Sequence, residues 1–137
     1  RGFKGGDSME RIKLKLNDAL KSLSTFEEII QEPFSIIVRD ATIQRFEYTF
    51  EAFWKFIQEY LKEKEGIVVN SPKGVFKEIF ALGFCSEEET VRLLEMADKR
   101  NDTSHSYKEA VAQNIYENTK QYVLLIRMIL TRVEKKL

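Results

Sequence analysis

Residues 35–64, SIIVRDATIQRFEYTFEAFWKFIQEYLKEK, decide the fold. Their apolar side chains Ile36, Ile43, Phe46, Phe50, Phe53, Ile57 and Leu61 return at the three-to-four-residue interval of one helical face. The stretch holds neither Gly nor Pro, so nothing inside it breaks a long helix. Tyr48, Trp54 and Phe56 fall off the stripe. A helix with aromatics on more than one face has a second buried contact, and this surplus predicts a dimer.

Upstream, Ile12, Leu16, Ala19, Leu20, Leu23, Phe26 and Ile30 give residues 9–30 the same helical period. Pro33 stops that helix, because the residue before a proline is pushed out of the α region. The Gly-rich opening, RGFKGGDS at residues 1–8, precedes Met9 and is expected to be an expression or start-site remnant rather than structure. Downstream, residues 66–70 are a linker. Ser71-Pro72 then opens a short helix as N-cap and first-turn proline, and Gly83 closes it after Leu82. Ser86 and Glu89 form a capping box for a helix that uses Val91, Leu94 and Ala97 and ends near Lys99. A second box, Ser106 with Glu109, starts the last helix, with Val111, Ile115, Tyr122, Ile126, Ile129 and Val133 inward to about Lys135.

No segment asks for a strand. The expected fold is all-α: an antiparallel up-and-down four-helix-type bundle with an extra short helix, forming one domain over residues 9–137. Composition agrees. The 137 residues are 43% hydrophobic and 32% charged, with ten Phe, five Tyr and one Trp to fill a core. Twenty-two basic residues balance twenty-two acidic ones, which excludes nucleic-acid binding through a broad basic surface and leaves only a local cluster. The single cysteine, Cys85, excludes an internal disulfide framework and suits a reducing cytoplasm. No signal-peptide pattern or membrane-length apolar run is present.

Catalytic kits are scarce. There is no Gly-rich phosphate loop, no Cys or His pair at metal-ligand spacing and no Ser-His-Asp arrangement, so no metal or other cofactor is expected. The exception is the polar junction of residues 99–107, KRNDTSHSY, which carries the only histidine. His105 has the side chain whose ordinary pKa suits proton transfer near neutrality. Arg100, five residues earlier, has the planar fork that grips a phosphate, and amides at the start of the last helix favour an anion. The plainer possibility is that His105 is a solvent-facing cap, Arg100 a cation at a helix C-terminus and Tyr107 a packing residue. Spacing alone leaves both open.

The junction resembles the R-x-x-x-x-H signature of HEPN domains, with Arg100, Asn101 and His105 in place and Tyr107 completing the longer R-x-x-x-x-H-x-Y form. Arg39 through Glu47, then Phe50-Glu51 and Trp54-Lys55, resemble the second-helix signature of nucleotidyltransferase substrate-binding proteins. Ser71-Pro72-Lys73, the turn Ala81-Leu82-Gly83-Phe84 and Asn114-Ile115-Tyr116 fit the same family. The resemblance implies a homodimer that pairs two motifs across its interface, working beside a cognate minimal nucleotidyltransferase. It implies a metal-independent ribonuclease toxin silenced by transfer of AMP to the motif tyrosine. His105 would then be the general acid or base, Arg100 would hold the phosphate, and Asn101 and Asp102 would position them. Tyr107 would accept AMP, whose bulk and charge would obstruct RNA. Two copies each of Lys99, Arg100 and Lys108 would supply a local positive cleft. Arg39, Asp40, Arg45, Glu47 and Trp54 would stand at the dimer seam or face the cleft. Two other readings compete: a non-catalytic substrate-binding or regulatory subunit of the nucleotidyltransferase, and an inert helical scaffold whose polar junction is only a loop.

Overall fold

The computed structural model describes the backbone of residues 2–105 and 108–137, and the side chains of 7–103 and 108–137. Five α-helices follow one another: α1 (Gly2–Ile29), α2 (Ile36–Tyr60), α3 (Pro72–Ala81), α4 (Glu87–His105) and α5 (Glu109–Glu134). No strand occurs among the described residues, and the all-helical bundle is as expected. None of these helices is long and apolar enough to cross a membrane.

Local chemistry sets most boundaries. The Ser35 hydroxyl accepts from the Val38 amide at 3.0 Å and starts α2; Ser71 does the same for Gly74 at 3.1 Å and starts α3. Gly83 takes φ 85, the left-handed conformation that closes α3 at no steric cost. The box at α4 is complete: Glu89 N–H donates to Ser86 Oγ at 3.1 Å, and Ser86 N–H donates to Glu89 Oε1 at 2.8 Å.

Ion pairs and hydrogen bonds record the antiparallel α1–α2 hairpin. Tyr48 bonds Thr25, Thr49 donates to the Ser22 carbonyl at 3.0 Å, and Arg11 meets Glu59 at 3.6 Å. The core runs along α2 as a chain of rings. Phe46 meets Phe26 of α1 at 6.2 Å and Tyr122 of α5 at 5.4 Å, while Phe50 and Phe53 meet Phe76 of α3 at 5.9 and 5.8 Å. Each buried ring of this kind contributes roughly 1.5–3 kcal/mol.

Several expectations need correction, among them Val91, which is 49% exposed rather than inward. Of the three aromatics off the stripe, Phe56 is fully buried inside the chain and Trp54 is partly buried against the core, which leaves Tyr48, 40% exposed, facing outward. Ile36, placed on the inward stripe, is 50% exposed because it opens the helix beyond the end of the core. Residues 61–65 leave the α pattern for a π-helical turn, closed by Gly66 at φ 68, with Ile67 N–H donating to the Leu61 carbonyl at 3.0 Å. At the other end of the chain, α1 begins at Gly2 rather than Met9. No proline interrupts it, and a nucleated helix gains a backbone bond with each added residue.

Candidate functional site

Residues 99–105 are not the loop between helices that was expected, and residues 106–107 lie outside the described residues. α4 continues through Arg100 and Asn101 to His105, so most of the motif is helical. Residues 101–104, Asn-Asp-Thr-Ser, favour caps and turns, which is why their composition suggested a stop. Thr103 Oγ1 bonds back within the helix to the Arg100 carbonyl at 2.8 Å, and the tertiary contact that favours the extension is the tie of the Arg100 side chain to α2.

That tie is the centre of the site. Arg100 Nη1 lies 3.3 Å from Glu47 Oε2, and Nε lies 3.5 Å from Glu51 Oε2. Nη1 also donates to Thr103 Oγ1 at 3.4 Å. Glu51 has further neighbours, accepting from Trp54 Nε1 at 3.2 Å and facing Lys55 Nζ at 3.9 Å. The motif arginine therefore sits over the middle of α2, bracketed by two carboxylates one turn apart.

A second anchor joins α2 to α5. The Arg39 side chain is only 4% exposed, and its Nη1 donates to Glu109 Oε1 at 3.3 Å and Gln113 Oε1 at 3.4 Å on α5. Its Nε donates to Asp40 Oδ1 at 3.4 Å. A buried guanidinium needs partners of this kind to offset lost hydration. Ser106, the expected first half of a capping box with Glu109, lies outside the described residues. Lys108 is the N-cap of α5, with no side-chain cap bond, and the Glu109 carboxylate is spent on Arg39. α2 thus holds the end of α4 through Glu47 and Glu51, and the start of α5 through Arg39.

The remaining expected residues separate. Asn101 and Asp102 are exposed on the last turns of α4. His105 closes that helix, but its side chain lies outside the described residues, as do Ser106 and Tyr107 altogether. Arg45 Nη1 donates to the Thr25 carbonyl of α1 at 2.7 Å, a brace of the hairpin. Asp40 is exposed beside Arg39, and Trp54 acts through Glu51. An open groove of about 410 Å³ between α4 and α5 brings Lys99 beside Asn114 and Asn118. Among the described side chains, no three of His, Cys, Asp and Glu are grouped as a metal site.

Glu51, Glu109 and Gln113 were not foreseen as site residues. Glu51 had a signal. Glu47 and Glu51 are like charges four residues apart on a helix, a repulsive spacing unless a cation from elsewhere lies between them.

No curated protein matches the chain. Among solved structures, a protein from Thermus thermophilus is 45% identical, with a TM-score of 0.79, covering 84% of this chain and 98% of that one. The model of proteins like the nucleotidyltransferase substrate-binding protein matches residues 14–135, a span holding α2, the Arg100 anchor and α5. The chain belongs to the family of nucleotidyltransferase substrate-binding-protein-like proteins.

Proposed function

We propose that this protein is the non-catalytic partner subunit of a nucleotidyltransferase, holding or regulating that enzyme's substrate, with residues 9–137 as the working domain. The carrying observation is that Arg100 is engaged by Glu47 and Glu51 at 3.3 and 3.5 Å, inside a chain whose family is named for that partnership. A guanidinium occupied by two carboxylates is poorly suited to grip a strand of RNA at rest. The surface presented to the enzyme is the end of α4 and the start of α5. On this reading Tyr107, between them in sequence, accepts AMP from it. The subunit works in the cytoplasm as a homodimer.

The test is co-expression with a minimal nucleotidyltransferase from the same source, followed by size exclusion and incubation with ATP labelled at its α-phosphate. A co-eluting complex supports the partnership, and label lost on Tyr107→Phe supports the acceptor role. Two proteins that elute apart at micromolar concentration sink this reading.

A second reading is a metal-independent ribonuclease toxin of a toxin–antitoxin pair. What favours it is the motif itself, with Arg100 and His105 in the last two turns of one helix and Asn101 and Asp102 exposed between them. His105 would move the proton, Arg100 would stabilise charge on the phosphodiester, and AMP on Tyr107 would block entry. Induced expression without the nucleotidyltransferase separates the two. Growth arrest and RNA loss with wild type, absent with His105→Ala, would favour the toxin.

A further inference from the structure

The two glutamates around Arg100 differ in kind from the partners of two other arginine anchors in this molecule. Arg127 grips Glu27 with Nε at 2.7 Å and Nη2 at 2.6 Å, and Arg132 grips Glu89 with Nη1 at 2.8 Å and Nη2 at 3.1 Å. Those are two-pronged clasps at full charge-assisted distance, the geometry of a permanent tie. Glu47 and Glu51 instead meet different nitrogens of Arg100 from different carboxylates, at 3.3 and 3.5 Å. The group is also within reach of solvent, with the side chains of Arg100, Glu47 and Glu51 exposed by 23, 29 and 35%.

We propose that Glu47 and Glu51 form an acidic latch that occupies the motif arginine and is displaced by a phosphate group. A phosphate offers the guanidinium two parallel acceptors that the split carboxylates do not, and the exchange keeps Arg100 paired throughout. Glu51 keeps Trp54 Nε1 and Lys55 when Arg100 turns away, and Glu47 is already partly hydrated, so release strands no buried charge. This also gives the second-helix signature a role: Trp54 and Lys55 seat Glu51, and Glu51 with Glu47 sets how readily Arg100 takes an anion. A nucleotide and a nucleic-acid strand can each deliver the phosphate, since both present the same oxygens. The inference goes beyond the function proposed above and needs no partner enzyme.

The test follows the Arg100 Nε–Hε resonance of the ¹⁵N-labelled full chain during titration with inorganic pyrophosphate. Glu47→Gln/Glu51→Gln is expected to bind about tenfold tighter than wild type, two modest ion pairs being removed from competition. Arg100→Gln, which lacks that resonance and is followed through the backbone amides at the end of α4, is expected to bind at neither level. Parallel titrations with ATP and with an oligouridylate identify the source by the larger gain. Unchanged or weaker binding by the double variant overturns the latch, as does a gain that survives Arg100→Gln. Should the double variant fail to fold, Glu47→Gln alone is expected to gain about threefold, and no gain there also overturns it.

Discussion

Arg39 and Arg100 look alike in sequence, but burial separates them. Arg39 is enclosed, and its partners Glu109 and Asp40 are 74 and 50% exposed at their side chains. Removing the arginine leaves hydrated carboxylates behind, while removing one carboxylate leaves the others on a buried cation. Arg39→Ala is therefore expected to cost roughly 2 kcal/mol in urea denaturation, from lost stem packing and charged hydrogen bonds. Glu109→Gln should cost under about 1 kcal/mol, because Asp40 and Gln113 remain and the lost partner was mostly in water. Equal losses would mean that the pairing, and not the packed stem, carries the effect. Both arginines were visible as candidates, and so was Glu47. Their pairings were not, because a side chain's partner on another helix depends on how helices cross, which no spacing along one helix records. The repulsive pair Glu47 and Glu51 was the one clue of that kind. His105 and Tyr107 stand on the motif alone.

Helix stripes are local facts, so the helices themselves were legible, together with the Ser71 and Ser86 caps and the Gly83 stop. The extension of α4 through residues 100–105 was not, since contacts with α2 outweigh four residues that prefer turns. The π-helical turn also had no signature in composition. Glu89 ties three elements: it caps α4, and Arg132 of α5, which holds it, also donates to the Phe84 carbonyl at 2.9 Å. The Arg132 guanidinium first, then the Ser86 amide, hold the Glu89 carboxyl down from its ordinary 4.5 to about 2. A lowered carboxyl pKa stabilises the fold above its unfolded value, and that contribution fades as pH falls from 4.5 towards 2. Urea midpoints of Glu89→Gln should therefore lie below wild type at pH 7 and converge with it near pH 2. A constant offset across that range would refute the linkage. In α3, a methyl group added to Gly74 would stand 2.5 Å from Val69 Cγ1 and 2.8 Å from Ser71 Oγ. Gly74→Ala should destabilise by about 1 kcal/mol in thermal melts, although alanine is the better helix former by a similar amount.

At the scale of the whole molecule, charge balance constrains how any nucleic acid can be held. The chain is neutral, and its motif arginine is matched by Glu47 and Glu51. In the proposed homodimer, two half-buried Lys99 and two exposed Lys108 remain to meet phosphates while the latch is closed. Single strands release about 0.7 counterion per phosphate contacted, so the slope of log affinity against log salt should be no steeper than about −3. Opening both latches adds two guanidinium contacts, and Glu47→Gln/Glu51→Gln should steepen the slope by about 1.4. A monomer would show half that increment. Fluorescence anisotropy with a labelled oligouridylate, from low to physiological salt, measures both quantities. A wild-type slope beyond about −5 would require more cations than the four lysines supply, and would place RNA on a surface other than the end of α4. An unchanged slope in the variant, with tighter binding, would mean that the carboxylates act by repulsion at a distance while Arg100 never takes the phosphate.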